Sequence, residues 1–347
     1  MTKTLFVLSI LLSAQALAFD VGGLSYTAIT GTTAEVTGRA VGNIDTGINI
    51  PDTVSDGTTT YSVATIGGWA FFSNTLTSVT IPGGVTTIGY SAFRNNALTS
   101  VMIADSVTTI GDYAFAYNTL TSVTIPDNVT SIGGAAFFQN LLTSVDIPDS
   151  VTTIGHGAFG ANFLTSAIIP DSVETIGMNA FGSNALTNVD IPDSVTSIGG
   201  SAFSDNVITN VDIPNSVTSI GGSAYSDNAL TSVAFEGNYG NFNLDIFLYN
   251  LALATITYCE GTTGWPQGFN NGSTIIVTEP VNCPIDGDGD GSADVDDNCP
   301  LVSNPQQEDA DGDNVGDVCD NCLITPNTDQ LDIDENGVGD LCAALGC

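Results

Sequence analysis

The sequence predicts a mainly β fold, a solenoid of stacked 22-residue coils with short turns and 3₁₀-like segments, followed by a small C-terminal segment of different composition. The first observation is an Ile-Gly pair that recurs every 22 residues in eight coils, from Ile66 to Ile220, with an aromatic residue five positions after each Ile. The second is that other apolar columns keep the same register. The third is a change to acidic residues and cysteines after residue 282. The aromatic column consists of Phe71, Phe93, Phe115, Phe137, Phe159, Phe181, Phe203 and Tyr225.

Each coil is predicted to hold one short parallel strand and a return path. The pattern Leu-x-x-Val-x-Ile-Pro at residues 76–82 points alternate side chains inward and ends where proline removes a backbone donor. Residues 85–88 form a second short extended segment, and Ala92 and Phe93 lie in a tight turn that directs the ring into the core. A lone coil buries about five apolar side chains at roughly 1.5–3 kcal/mol each, against about 1.5 kcal/mol of ordering cost per residue. Stacking of coils between atypical caps is therefore required.

The chain is expected to contain an export signal and four further regions. Lys3, an apolar run at residues 5–12 and Ala16-Leu17-Ala18 are typical of a signal peptide that is cut before Phe19, and the run is too short to span a membrane. We therefore expect a secreted, extracellular or cell-surface protein without a transmembrane segment. The regions are a signal peptide at 1–18, an N-terminal cap and first irregular coil at 19–62 with a hairpin around Leu24 to Val36, a solenoid at 63–258, a C-terminal cap or linker at 259–282, and an acidic segment at 283–347.

Over roughly residues 50–260 the repeat resembles the BspA-like leucine-rich repeats, whose pattern is close to Leu-x-x-Val-x-Ile-Pro-x-x-Val-x-x-Ile-Gly-x-x-Ala-Phe. The resemblance implies a leucine-rich-repeat solenoid and a role in surface adhesion and protein interaction. The family usually has Cys three residues after the Phe, whereas this chain has Asn there, from Asn74 and Asn96 to Asn228. We interpret these Asn residues as an inward ladder that satisfies backbone groups of the turns.

The charge balance narrows the class of partner. Beyond Lys3, Arg39 and Arg94 are the only cations against 38 acidic residues, which disfavours nucleic acids and anionic membranes. Between Cys283 and Cys347 lie 17 of those acids and no basic residue, so this segment would be disordered unless something neutralises it.

The acids of the C-terminal segment have the spacing of calcium-binding loops. Oxygen ligands at loop positions 1, 3, 5, 9 and 12, with a backbone carbonyl at position 7, are typical of calcium sites, and hard oxygen ligands without His or thiolate favour that ion. The pattern that begins at Asp286 repeats from Asp309 and again from Asp332, but the third loop has Ala343 at its closing position and should bind more weakly or lack an ion. The candidate ligands are Asp286, Asp288, Asp290, Ser292, Asp294 and Asp297; Asp309, Asp311, Asp313, Val315, Asp317 and Asp320; and Asp332, Asp334, Asn336 and Asp340.

Cysteine spacing supports the same unit. Cys299 and Cys319 are separated by the same interval as Cys322 and Cys342, and export permits disulfides. Together with Asp-Asn-Cys-Pro at 297–300, Asn-Pro at 304–305 and Gly-Asp-Val-Cys-Asp at 316–320, this region resembles thrombospondin type 3 repeats. The resemblance implies that calcium and disulfides organise a chain with almost no apolar core. Cys259 and Cys283 are a candidate third pair, which leaves Cys347 as a free thiol, an intermolecular link or the mark of a truncated chain.

The sequence offers no catalytic constellation, so we do not expect an enzyme. The one histidine, His156, falls in a turn column, and without a second histidine or a lysine outside the signal, a serine triad, a His-based zinc site and Schiff-base chemistry lack parts. Carboxylate pairs for glycoside hydrolysis are not indicated either, because the acids are spaced for calcium or scattered over turns.

The outward columns of the strand face are small, polar and mildly acidic, with Asp146, Asp190 and Asp212 in one column. We expect this face to bind a protein or cell-surface partner. Two alternatives remain: a passive exported spacer, and an ice-binding surface on the Thr column that runs from Thr77 to Thr231. A partner-binding face predicts saturable binding, a spacer predicts none, and an ice-binding surface predicts thermal hysteresis.

Overall fold

The computed structural model of the protein describes residues 18–243, 245–259, 262–266, 268–270, 275–281, 297–299, 301–333 and 338–345. Within these ranges the regular structure is β-strand apart from one short helix, α1, at Asp340–Leu345, which confirms the predicted mainly β fold. The strands are β1 Ala18–Val21, β2 Leu24–Ala28, β3 Thr33–Arg39, β4 Gly47–Asn49, β5 Thr53–Ser55, β6 Thr60–Ile66, β7 Ser78–Thr80, β8 Thr87–Ile88, β9 Thr109–Ile110, β10 Ser131–Ile132, β11 Ser144–Asp146, β12 Thr153–Ile154, β13 Ser166–Ile168, β14 Thr175–Ile176, β15 Ser197–Ile198, β16 Asn210–Ile213, β17 Ser219–Ile220, β18 Ser232–Phe235, β19 Asn241–Phe242, β20 Thr255–Cys259, β21 Gly268–Asn270 and β22 Ile275–Val281.

One sheet runs along the stack. It begins with antiparallel β1, β2 and β3, which include the hairpin predicted around Leu24 to Val36, and continues as a parallel ladder through β6, β8, β9, β10, β12, β14, β15, β17 and β19. From β8 onward each coil contributes a two-residue strand in the register of the repeat, so that Ile88 pairs with Ile110 and Ile110 with Ile132. These Ile side chains are buried, which places the core directly under the sheet.

The opposite face, which carries the Leu-x-x-Val-x-Ile-Pro segments, is less regular. Parallel pairs form between β4 and β7, between β11 and β13, and from β16 through β18 and β20 to β22. Met102 makes only isolated bridges to Thr80 and Thr124, and residues 188–190 join no ladder. The structure therefore differs from the expectation in one respect, because the segment assigned to the return path forms the more continuous sheet. Proline after most Leu-x-x-Val-x-Ile segments removes a donor and limits the pairing there to a few residues.

A tight turn with i to i+3 hydrogen bonds directs each aromatic ring inward. Ala92 N donates to Gly89 O and Arg94 N donates to Ser91 O, each at 3.2 Å, so the turn is 3₁₀-like, as predicted. The rings stack face to face along the core, with Phe137 and Phe159 centroids 5.6 Å apart and 3° between their planes. Phe247 extends the predicted column by one ring, 6.0 Å from Tyr225. This row of buried rings is the spine of the hydrophobic core.

The glycine of the Ile-Gly pair is required by the close approach of successive coils. A Cβ at Gly155 would lie 2.6 Å from both the carbonyl carbon of Gly133 and the carbonyl oxygen of Ile132. Both obstacles are backbone atoms, which a side chain cannot displace. The repeat therefore keeps glycine at this position because neighbouring coils would otherwise be forced apart.

The Asn column forms the expected ladder. Asn118 Oδ1 accepts a hydrogen bond from Leu98 N at 3.1 Å, and its Nδ2 donates to the carbonyl oxygens of Phe93 at 3.0 Å and Phe115 at 2.9 Å. The same pattern recurs at Asn140, which bonds Leu120, and at later coils. Each Asn therefore joins its own turn to the preceding coil, where the backbone groups are buried and cannot reach water.

Candidate functional sites: the strand face and the acidic segment

The three acids predicted to bind a partner lie on the strand face, defined here as the surface formed by the residues between each repeat Leu and its following Pro. Asp146 ends β11, Asp212 lies in β16, and Asp190 stands at the equivalent position of the coil between β13 and β16. All three side chains are exposed, because alternation along an extended segment places them opposite the buried Val column. Ile168, 69% exposed, occupies the same column between Asp146 and Asp190.

The structure brings two of these acids together and separates the third. Asp190 and Asp212 line a shallow depression of about 200 Å³ on the strand face, together with Asp193 and Glu236. Asp146 lies two coils away and does not line it. Val189, Ile191 and Val211, which are buried, and Asn188, Asn210 and Pro214 also line the depression. Four carboxylates from adjacent coils thus meet at the edge of the strand face and make a concentrated source of negative potential.

Sequence reasoning missed Asp193 and Glu236. Asp193 stands three residues after Asp190, in the Pro-Asp turn column that begins at Asp127, so its register was a usable signal. Glu236 follows β18, where the Ile-Pro end of the segment is replaced by Phe235-Glu236. His156 is exposed in its turn.

Of the predicted calcium ligands, those of the second loop are described most fully. Carboxylate oxygens of Asp309, Asp311 and Asp313 lie within 4.8 Å of one another. Oδ2 of Asp311 is buried without a hydrogen-bond partner. Burial raises the pKa of the Asp311 carboxyl above its ordinary value, and the neighbouring charges of Asp313 and Asp320 raise it further. The arrangement is that of carboxylates crowded together with too little positive charge nearby.

Backbone donors fix the rest of this loop. Burial acts to raise the pKa of Asp309, but N–H groups of Asn314 and Gly312, which donate to Asp309 at 3.0 and 2.7 Å, hold that pKa below its ordinary value. Asp313 accepts from Val315 N at 2.9 Å and from Asn327 N at 2.5 Å. Asp317 accepts from Ala310 N at 2.7 Å. The loop is thus folded around its own carboxylates.

The remaining predicted ligands are distributed as follows. Asp297 is buried close to Cys299, Asp320 and Asp332 are half-buried, and Asp340 begins α1 and accepts from Ile333 N at 3.2 Å. Asp286, Asp288, Asp290, Ser292, Asp294, Asp334 and Asn336 lie outside the described residues, as do most of the predicted signal peptide and Cys283.

The acidic segment contains a repeated set of side-chain hydrogen bonds, the polar frame, which follows the same register as the acids. Sequence reasoning missed it. Gln307 Oε1 accepts from Asn298 N at 2.8 Å, and its Nε2 donates to Asp297 Oδ1 at 2.9 Å. Gln330 makes the equivalent bonds to Asn321 N at 2.7 Å and Asp320 Oδ1 at 2.8 Å. The signal that could have found it was Gln307 and Gln330 themselves, which occupy the same position in successive repeats. The frame thus fixes the orientation of Asp297 and Asp320 through one carboxylate oxygen of each.

Disulfides hold this frame in place. Cys299 bonds to Cys319 and Cys322 to Cys342, with Cα atoms 5.8 and 5.6 Å apart, and these are the pairs that the equal sequence spacing indicates. Cys259, at the end of β20, is also disulfide-bonded, and its candidate partner Cys283 lies outside the described residues. Within the described ranges, no helix has the length and apolar composition to cross a bilayer.

The comparisons with known proteins agree with both halves of the chain. The BspA type leucine-rich repeat region model matches in six copies over residues 53–165 and 154–275, and the thrombospondin type 3 repeat model matches residues 282–307 and 307–330. A leucine-rich repeat protein from Bacteroides ovatus is 28% identical, with 69% of this chain and 70% of that chain covered and a TM-score of 0.55.

Two further solved structures are more distant. A leucine rich cell surface protein from Faecalibacterium prausnitzii is 22% identical, with 78% of this chain and 96% of that chain covered and a TM-score of 0.39. A leucine rich repeat protein from T. pallidum is 21% identical, with 59% and 86% covered and a TM-score of 0.41. No curated protein matches the chain.

Proposed function

The chain belongs to the BspA-type leucine-rich repeat family, and on that premise we propose that it is a non-catalytic interaction or adhesion protein, secreted or held at the cell surface. In this proposal the strand face binds a protein partner, and calcium stabilises the C-terminal segment. The observation that carries the first part is the depression where Asp190, Asp193, Asp212 and Glu236 meet. A regular exposed face with one concentrated charge cluster favours recognition of a macromolecule.

The acids are expected to act mainly on association. Exposed charges at the edge of an interface steer the partner and set the salt dependence, and contribute less to the lifetime of the complex. Val189, Ile191 and Val211 line the same depression but are almost fully buried, so the surface open to a partner is mainly polar. Basic and hydrogen-bonding partner residues are the complement of this arrangement.

The test begins with capture of extracellular or surface proteins by the full chain, with and without calcium, followed by association kinetics with the captured protein. Replacing Asp146, Asp190 and Asp212 together with Asn should slow association and flatten its salt dependence while leaving the fold intact. The matched control replaces three exposed turn acids, Asp105, Asp127 and Asp171, with Asn and changes the net charge equally. Identical kinetics for wild type and the strand-face variant would show that the partner docks elsewhere or that the chain is a spacer.

The second part of the proposal is that the loop at Asp309 to Asp320 binds calcium. The residues fit the ion: three carboxylates converge, and a buried oxygen of Asp311 lacks any hydrogen-bond donor. Calcium accepts six to eight oxygen ligands in a flexible geometry. Asp309, Asp311, Asp313 and Asp317, with the Val315 carbonyl and the Asp320 carboxylate, would hold it.

A bound calcium ion would supply the positive charge that neutralises these carboxylates. The residues of the loop do the rest: backbone N–H groups orient Asp309, and the Gln330 side chain positions Asp320. Because neutralisation removes the repulsion that opposes the folded form, binding and folding of this segment should be linked. The proposal extends the same role to the ligands of the first and third loops, including Asp286, Asp288, Asp290, Ser292, Asp294, Asp332, Asp334, Asn336 and Asp340.

Calorimetric titration of the oxidised full chain with calcium tests this part. Saturable heat is expected, with dissociation constants of order 10⁻⁴–10⁻³ M, a smaller hydrodynamic radius, and weak substitution by magnesium, which demands rigid octahedral geometry. Asp311→Ala should remove the share of the heat that belongs to the second loop, whereas Asp329→Ala, an exposed acid of the same segment outside the ligand register, should not. Absence of heat and of compaction at millimolar calcium would refute the assignment.

A further inference from the structure

A cluster of aromatic rings lies on the turns of the first coils, outside the strand face. Trp69 contacts Phe72 edge-on at 4.9 Å and Tyr90 at 5.0 Å, and Tyr90 continues to Tyr113 at 5.9 Å between ring centroids. Trp69, Phe72 and Tyr90 are 48%, 38% and 44% exposed. Contiguous exposed rings on a polar molecule mark an interaction surface, and we call these residues the aromatic cluster.

Coil geometry does not require these rings. Trp69 and Tyr113 have φ of 62° and 58°, in the left-handed region that disfavours bulky side chains. The same column has positive φ in the other coils, but its residues there are small or polar. They are Ser91, Ala135, Gly157, Asn179, Ser201 and Ser223. The turn therefore forms equally well without an aromatic residue, and the rings at Trp69 and Tyr113 need another explanation.

The cluster already holds one cation. The Arg94 guanidinium lies over the rings of Tyr113, Tyr117 and Phe72, at 4.9, 5.2 and 5.9 Å from their centroids. These distances are those of cation–π attraction, in which the negative face of the ring faces the charge. In the described part of the chain no cation lies over Trp69 or Tyr90, and these rings are 48% and 44% exposed, so another positive group can reach them.

The charge around the cluster favours a positive ligand. The chain has a formal net charge of −35 and so attracts cations from a distance. Closer in, the Glu35 carboxylate packs against Gly67, two residues before Trp69, and exposed Asp112 directly precedes Tyr113. These negative charges would repel an anionic ligand and would not attract a neutral one.

We infer that the aromatic cluster is a docking site for a basic polypeptide segment, with a Lys or Arg side chain of the partner placed on the Trp69 and Tyr90 rings and the flanking carboxylates opposite its charge. In this proposal the rings make the specific contact, and the net negative charge raises the rate at which the partner associates. This surface is separate from the strand face, so it does not depend on the proposal made for Asp190 and Asp212. It also differs in chemistry, since it requires ring faces as well as acids.

Fluorescence anisotropy with the full chain and a labelled Gly-Lys alternating peptide tests the inference. Trp69→Ser and Tyr90→Gly introduce the residues that Ser91 and Gly68 provide in adjacent coils, so the fold should persist and circular dichroism checks it. Each variant is expected to weaken binding about two- to fivefold, the range of exposed cation–π contacts. Phe163→Ala, which removes an isolated exposed ring in a later coil, and the strand-face Asn variant should leave ring-dependent binding unchanged.

Three results would overturn the inference. The first is equal binding of the Lys peptide by wild type and by the Trp69→Ser, Tyr90→Gly double variant, which would leave only the general field of the acids. The second is equal binding of a Gly-Ser peptide. The third is ring-dependent binding of a neutral oligosaccharide with no binding of the Lys peptide, which would make the cluster a sugar platform.

Discussion

Replacing Asn140 with Ala should destabilise the stack far more than the loss of one surface amide would. Its Oδ1 accepts from Leu120 N at 3.1 Å, and its Nδ2 donates to Phe115 O at 3.0 Å and to Phe137 O at 3.1 Å. All three partner residues are buried, so water cannot replace the lost bonds. Phe115 O keeps its bond from Asn118 Nδ2 and Phe137 O its bond from Asn162 Nδ2, whereas the Leu120 N–H loses its acceptor. Leaving the buried Leu120 N–H unsatisfied costs about 1–3 kcal/mol, and the two carbonyl oxygens, which keep one donor each, add less.

The chain contains a matched control at the end of the ladder. Asn74 is half-buried, and its side chain donates only to Phe72 O, at 2.8 Å. Asn74→Ala should therefore cost about 1 kcal/mol or less. Equilibrium guanidinium unfolding of the two full-length variants at fixed calcium, followed by far-ultraviolet circular dichroism, gives the comparison. Equal shifts for the two variants, or a cost below about 1 kcal/mol at Asn140, would refute the ladder as a source of stability.

Two other changes test the core and the N-terminal cap. Tyr225 has a buried hydroxyl without a hydrogen-bond partner in a column that is otherwise Phe. Tyr225→Phe should therefore stabilise the chain by about 1–2 kcal/mol, and Phe203→Tyr should destabilise it. Shifts of the melting temperature in the opposite directions would contradict this. The side chain of Thr58 and the N–H groups of Thr59 and Thr58 donate to Asp56 and hold its pKa below the ordinary value. The ionised Asp56 therefore stabilises the folded state fully above the unfolded pKa near 3.9, and this contribution is lost as the pH falls through the lower folded pKa. The melting-temperature difference between wild type and Asp56→Ala should therefore shrink on acidification from pH 6 to about pH 2, and a pH-independent difference would exclude the mechanism.

Periodicity predicted the features that depend on each coil repeating the one before it. The ring column and the Asn ladder are of this kind, because a stacked contact needs the same residue at the same place in every coil. The relative continuity of the two sheets was not predictable in this way. It depends on how well the backbones of adjacent coils align, and both Val79 and Ile88 alternate correctly for a strand.

The parts of the sites that escaped sequence reasoning are those assembled across columns. Trp69 and Tyr90 belong to different columns and become neighbours only when two coils stack, so the repeat pattern alone does not group them. Trp265, in contrast, packs against the core, stacked on Tyr258 with ring centroids 4.9 Å apart. Glu236 lines the depression from the position where other coils have proline. Because this residue departs from the repeat, the repeat pattern does not predict it.

The uniform register also determines how this protein can change size. In the central coils the ring and Asn contacts are made one repeat away, so one whole repeat can be gained or lost without altering the contacts of the others. Recombination between similar repeats produces such whole units, whereas any other insertion must be looped out. Each added unit lengthens the molecule by about 4.7–4.9 Å, the spacing of paired strands. The length of the solenoid can therefore change in equal steps during evolution, while the coils at its two ends stay unchanged.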